Sequence, residues 1–357
     1  MYLISGHSPV FFLAGFSAFL ILGDYLLPRD TKVQEFSHPS LLNLSIYINL
    51  PILLLLVLLV TSVFAGDLSL WQDAVFGAFP NLSADWVQVN SSLNVLDKTS
   101  LVIQTCLLIG ALGTVPGHEL THRVASKFDM LMGNWLLAFS CDCTFAIEHV
   151  YGHHKNACFP EDPASAARDE KIYPFISKAI FNEHLGGWRI EKNRLEKVGT
   201  KSLSVHNRML TGYLRSLIIA ALVFLISGGG GVLCFVICAL GAKMFLEAIN
   251  YIEHYGLVRE KGKRVHMRHS WNSNHFLSSI YLYNVTRHSD HHRLARLKFW
   301  ELHPCPENAP MTPYGYLSML YLSLILPYRY RKVMSAKLLD WDLNYANEEE
   351  RKMVNAA

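Results

Sequence analysis

The stretch EHVYGHHKNACFPEDPAS, residues 148–165, carries three imidazoles, His149, His153 and His154, within about one and a half helical turns. On a helix His149 and His153 are neighbours on one face, about 6 Å apart along the axis, so two or three of these rings can grip one divalent ion. The i, i+4 spacing recurs at His118 and His122 in HELTH, and RHSDHH sets His288, His291 and His292 at i, i+3 and i+4. His254 closes NYIEHYG, again at the end of an apolar segment. One zinc takes about four ligands, so nine clustered rings imply two metal ions. Neutral imidazole suits zinc, copper, iron or nickel. HELTH also matches a zinc-protease helix with Glu119 as base. That chemistry needs only one further ligand and leaves seven clustered histidines without a task.

Polar residues beside these clusters are candidates for orienting the rings. Glu161 and Asp162 sit in a rigid Pro-flanked turn, where they can accept from imidazole N–H groups or cap a helix near Ser165. Asn272, Asn274 and His275 in SWNSNH and Asp290 in RHSDHH are candidates of the same kind. His184 and His206 read as surface residues, His7 and His38 as incidental, and His266, His269 and His303 receive no role.

The elements that must position these rings are hydrophobic. Half of the chain (51%) is hydrophobic and only 17% is charged, against about 25% in a soluble domain. An all-α, polytopic membrane bundle follows, as a single domain over 1–357. Apolar runs at about 9–28, 41–65, 99–117, 211–229 and 231–252 each approach the ~20 residues that cross a bilayer. The weaker segments 130–147 and 313–327 read as re-entrant or interfacial helices. Gly228 to Gly231 makes a tight hairpin between the last two spans.

Residues 1–27 and 66–97 hold no Lys or Arg, whereas Arg29 and Lys32 lie between the first spans and basic residues collect after 118 and after 253. Under the positive-inside rule the N-terminus is outside and segments 118–210 and 253–357, with every histidine cluster, are cytoplasmic. The first run lacks a signal peptide's basic n-region and cleavage site, so it is expected to be a retained span, and the first two spans are expected to meet lipid and wall a substrate cavity. Asp24 reads as an interface residue and 330–357 as a solvated tail helix. Asn81-Leu82-Ser83 and Asn90-Ser91-Ser92 match the glycosylation sequon and are read as loop residues. The seven cysteines form no CxxC pair and read as buried small hydrophobes, so electrons for redox chemistry must come from another polypeptide. No nucleic-acid motif is present.

Two open-sided metals at the inner face of an apolar bundle suit oxidation of a lipid-soluble substrate. HELTH, EHVYGHH with PEDPAS, NYIEHYG, SWNSNH and RHSDHH, in that order, resemble the membrane non-haem diiron hydroxylases, nearest the alkane 1-monooxygenase branch. The resemblance covers about 10–345. It implies two non-haem irons held by the nine histidines, dioxygen and two external electrons, and hydroxylation of a terminal methyl of a hydrocarbon such as a medium-chain n-alkane. The implied setting is a bacterial-type inner membrane. HELTHR stands where that branch usually has HELGHK, and five spans stand where it commonly has six. The FWEL and LDWD runs at Phe299 and Leu339 look similar to the xylene monooxygenase type, which hydroxylates aryl methyl groups. The implied donor is rubredoxin with its reductase for the alkane branch and a ferredoxin-type reductase for the xylene type. A lipid desaturase is the rival enzyme reading. A metal transporter, the non-enzyme reading, would place its ligands near the bilayer midplane on broken helices; here the histidines lie at segment ends.

Overall fold

The computed structural model describes residues 8–78 and 90–356. His7 and the sequon at 81–83 lie outside the described residues. Among the described residues, four helices are long and apolar enough to cross a bilayer: α1 (Pro9–Leu26), α2 (Pro39–Ala65), α4 (Val95–Thr121) and α8 (Arg208–His254), with the short α3 (Ser69–Ala78) after α2. Their ends carry local stop and start signals. The Ser8 side chain accepts from Val10 N with Pro9 in the first turn of α1. Asn94 and Asp97 form a reciprocal capping box at α4, and Gly66 ends α2 at φ 80°.

The 47-residue α8 is not one rod. Gly228 adopts φ 61°, ψ −164°, a conformation reserved for glycine. The Ser227 hydroxyl lies 3.0 Å from Ser62 and 3.3 Å from Thr61, near the far end of α2. Both outer ends of α8 lie with the histidines: Arg208 donates to Glu191 on α7 (Ile172–Lys197), and His254 joins the rings described below. The helix therefore folds back on itself at Gly228.

The segments read as re-entrant or interfacial are short helices, α5 (Lys127–Leu137) and α11 (Tyr316–Ile325). Phe145–Glu148 (α6) runs into a π-helical turn over His149–His153, and the small α9 (Phe276–Tyr281) and α10 (His288–Arg293) complete the histidine end. One core cluster fills the space between α2, α4 and α8 around Leu53, Ile109 and Phe235. A second, around Phe175, Tyr251, Trp271 and Trp341, lies under the histidines.

Three features depart from expectation. Residues 330–344 are not a solvated tail. They belong to α12 (Pro327–Asn344), whose Tyr330, Met334, Leu338 and Trp341 are buried at near-helical spacing in the second cluster. Trp341 donates to the Arg268 carbonyl at 2.6 Å, and Glu350 of α13 (Glu348–Ala356) receives Arg268 and His269 at 2.8 Å each. Asp24, read as an interface residue near the end of α1, is in addition buried within the protein. It accepts from Ser278 N at 3.0 Å and Ser278 Oγ at 2.5 Å, stapling α1 to α9. Finally, the second limb of α8 carries a charge cluster: Lys243 Nζ meets Asp142, Glu183 and Glu247 at 2.7, 2.7 and 2.6 Å. Such a buried cluster is tolerated only while every member stays paired, and it fixes α8 against α7 and the turn before α6.

Candidate metal centre

The nine rings converge from four chain segments, but not as the helical spacing predicts. His118, His122, His149, His154 and His291 form one group and His153, His254, His288 and His292 the other, with nitrogens within 4.8 Å of one another inside each group. The trio 149, 153 and 154 is thus divided between two groups, as is the trio 288, 291 and 292. The cause in the first is the π-helical turn over His149–His153. Its wider pitch aligns i with i+5, so His149 and His154 meet at 3.1 Å between Nε2 atoms while His153 turns away. A second π-helical turn, Gly110–Thr114, precedes His118 inside α4.

The nitrogens are arranged as ligands. Nε2 pairs lie at 3.1 Å (His149–His154 and His154–His291), 3.2 Å (His153–His292) and 3.0 Å (His288–His292). Two metal–nitrogen bonds of about 2.1 Å meeting at a right angle span about 3.0 Å. The Nε2 atoms of His118, His122 and His254 are buried without a hydrogen-bond partner, although buried polar atoms are normally paired. Two tautomers follow from the neighbours. His254 Nδ1 faces the His269 carbonyl at 3.1 Å, and a carbonyl can only accept, so the proton is on Nδ1 and the Nε2 lone pair points inward. His153 Nδ1 lies 2.9 Å from Asp162 Oδ2, with the same consequence. Converging lone pairs repel one another unless a cation sits among them, so the residues fit a metal centre.

The electrostatics agree. Burial and neighbouring imidazoles push His149, His154, His291 and His292 well below the ordinary histidine pKa, and burial with His153 nearby takes His122 to about 3. These rings are neutral at pH 7, the form that binds metal. His153 goes the other way. Burial lowers its pKa, but Asp162 outweighs this and raises it, which makes it the more basic ligand.

Of the other predicted residues, Asp162 alone touches a ring; its Oδ2 also receives the Ser165 hydroxyl at 2.5 Å, so it both orients and caps. Glu161 is exposed and faces Lys261 at 3.7 Å. Asn272 accepts from Ser289 N at 3.2 Å at the start of α10, and Asn274 donates to the Pro304 carbonyl at 3.0 Å. Both brace the loops that carry the rings. His275 Nδ1 pairs with Ser273 Oγ at 2.7 Å. Asp290 accepts from Arg293 at 2.7 Å and His303 N at 2.9 Å, facing away from both groups.

Two contributors escaped the sequence reading. Glu253 Oε2 lies 3.2 Å from His288 Nε2, and its Oε1 accepts from Tyr316 OH at 2.9 Å. His269, left without a role, supplies the carbonyl that orients His254. The only signal for Glu253 was an acidic residue preceding a histidine at a helix end.

A narrow apolar cavity of about 100 Å³ lies beside the centre. Its wall includes Leu20 of α1, Gly110 and Thr114 of α4, Ile249 of α8, Val285 and Tyr316. Val115 and Val285 also line a small void reaching His118 and His291, so these two valines stand between the cavity and the five-ring group.

Fold and site together define an all-helical integral membrane protein with a histidine-rich centre for metal at one end of its helices. A family model described as fatty acid desaturase matches residues 98–323, which contain all nine rings. The chain is 34% identical over 333 residues to alkane 1-monooxygenase 1 of Pseudomonas aeruginosa, covering 91% of this chain and 81% of that one. It is 37% identical over 260 residues to alkane 1-monooxygenase 2 of Alcanivorax borkumensis, covering 71% and 67%. To the xylene/toluene monooxygenase hydroxylase component XylM of Pseudomonas putida it is 28% identical over 344 residues, 96% and 86% of the two chains. The chain belongs to the fatty acid desaturase family and is, within it, an alkane 1-monooxygenase-like oxidoreductase that incorporates dioxygen.

Proposed function

We propose that this protein hydroxylates a terminal methyl group of a medium-chain n-alkane to the primary alcohol. The stoichiometry is R–CH3 + O2 + 2 e⁻ + 2 H⁺ giving R–CH2OH + H2O. The nine histidines hold two irons in this reading, His118, His122, His149, His154 and His291 one of them and His153, His254, His288 and His292 the other. The observation that carries it is the apolar cavity ending at Val115 and Val285 against His118 and His291. Iron bound there would supply the oxygen-activating redox chemistry that side chains lack.

The chain's own part is placement and exclusion. The cavity wall orients a saturated chain end-on toward the valine pair, presenting its methyl rather than its middle, and keeps water from the reacting end. Asp162 and the His269 carbonyl hold the protons of His153 and His254 on Nδ1, keeping the inward nitrogens available. Tyr316 spans both compartments: its ring lines the cavity and its hydroxyl donates to Glu253 beside His288. Electrons enter from a separate carrier, rubredoxin with its reductase or a ferredoxin-type reductase. A polar recess bearing Lys155, Lys178 and Arg189 offers an acidic carrier a face near Glu148 and Asp162. Five membrane crossings in one domain, in a bacterial inner membrane with the histidines cytoplasmic, complete the reading.

The test supplies membranes containing the protein with reductase, both carriers, ¹⁸O2, octane and p-xylene. Labelled 1-octanol as the main product supports the proposal. Labelled aryl methanol moves the substrate to the xylene type, and alkene without label identifies a desaturase.

A further inference from the structure

Building on that reading, we infer that Gly110 sets the longest alkyl chain the cavity accepts. Three glycines line up in α4, and they are not equivalent. A Cβ on Gly113 would stand 2.9 Å from Leu53 and 3.2 Å from the Leu136 carbonyl, and one on Gly117 2.9 Å from Leu137 and 3.2 Å from the Gly133 carbonyl. Those two are needed for helix contact. A Cβ on Gly110 would meet nothing within 4 Å. Its backbone, φ −58° and ψ −57°, is ordinary right-handed helix. Neither packing nor conformation requires glycine there, and glycine is a poor helix former. Gly110 does line the apolar cavity. The missing side chain is therefore open cavity, in the middle of the wall that α4 contributes between Cys106 and Val115.

Position along the helix converts this into a length. Counting back from His118 at no more than 1.5 Å per residue, since the π-helical turn over Gly110–Thr114 rises less, Gly110 lies up to about 12 Å away and Cys106, in the far wall, up to about 18 Å. An extended residue covers about 3.5 Å in three bonds, about 1.2 Å per bond, so these depths correspond to about ten and about fifteen carbons. A side chain at 110 closes the slot at the nearer depth.

The experiment gives membranes carrying wild type, Gly110→Ala, Gly110→Leu or Gly110→Phe an equimolar mixture of octane, decane, tetradecane and hexadecane. The ratio of long to short alcohols is read within each sample, so the amount of folded protein cancels. A graded fall in the ratio is expected, slight for Ala and at least tenfold for Leu and Phe, while iron content persists. Gly113→Ala, a glycine required by packing, is expected to lower Tm and leave the ratio alone. Ratios within twofold of wild type in Gly110→Leu, or in Gly110→Ala and Gly110→Leu should Phe prove inactive, overturn the inference. Wild type giving no alcohol from any alkane overturns the reading of the site, and this inference with it.

Discussion

The four-ring group is surrounded by oxygen. Asp162 meets His153, Glu253 meets His288, and the His269 carbonyl meets His254, with all four rings buried. The five-ring group has more imidazoles and, among the described residues, no carboxylate within bonding distance of any of them. Two of its rings, His122 and His154, are half-buried, and it adjoins the void behind Val115 and Val285. The difference separates holding from reacting. Asp162 and the His269 carbonyl, behind His153 and His254, fix ring orientation, and Glu253, on the inward Nε2 of His288, adds a negative oxygen on the centre's own side; both suit an ion that stays put. A group held only by neutral rings beside an apolar cavity suits one whose remaining positions must admit a reactant.

Several substitutions can break or sharpen that contrast. The largest effects belong to the rings. His254→Ala and His118→Ala are each expected to take product formation below detection and, on the proposed two-iron reading, to bring iron per chain from two to about one, read by elemental analysis of purified protein. Retention of both irons in either variant would remove that histidine from the ligand set. Asp162→Asn is expected to cost about 10–100-fold in metal affinity or activity, the range for groups behind a ligand. That loss should be confined to the four-ring ion, as Mössbauer spectra of the two iron sites can show. Glu253→Gln should weaken the same ion about tenfold, leaving the other unchanged; equal loss at both sites would erase the distinction.

The smallest effect is on stability. His269 and Arg268 pull the Glu350 carboxyl down to about 2 against a burial effect that would raise it. An unfolded glutamate titrates at about 4.3, so this contact stabilises fully above that pH, and its contribution is lost as pH falls toward about 2. Glu350→Ala should lower Tm by about 3 °C at pH 7, given about 1.5–3 kcal/mol for hydrogen bonds to a charged group. Its Tm should also lack the wild-type decline below about pH 4.3.

The nine rings were legible because metal chemistry leaves a mark in residue type and helices leave one in spacing. Their division into groups was not. A period of 3.6 puts His149 and His153 together, and nothing in EHVYGHH announces the π-helical turn that pairs His149 with His154 instead. The long apolar helices were legible from hydropathy alone, and Gly228 marked the fold in α8. The pairing of Asp24 with Ser278, and of Lys243 with Asp142 and Glu183, was not legible because these partners are distant in sequence. The C-terminal helix was different: Tyr330, Met334, Leu338 and Trp341 share its buried face, but Tyr328, Leu339 and Leu343 are exposed on the same helix and blur the apolar stripe.

The clasp of Glu350 on His269 has a consequence for the order in which a living cell builds this protein. A chain emerges from the ribosome N-terminal end first, so His118 is made more than two hundred residues before the carboxylate that steadies the loop behind His254. Until that late segment docks, the four-ring pocket lacks its backing. A half-made chain is thus a poor trap for metal, and the centre matures only when the walls that contain its chemistry already stand.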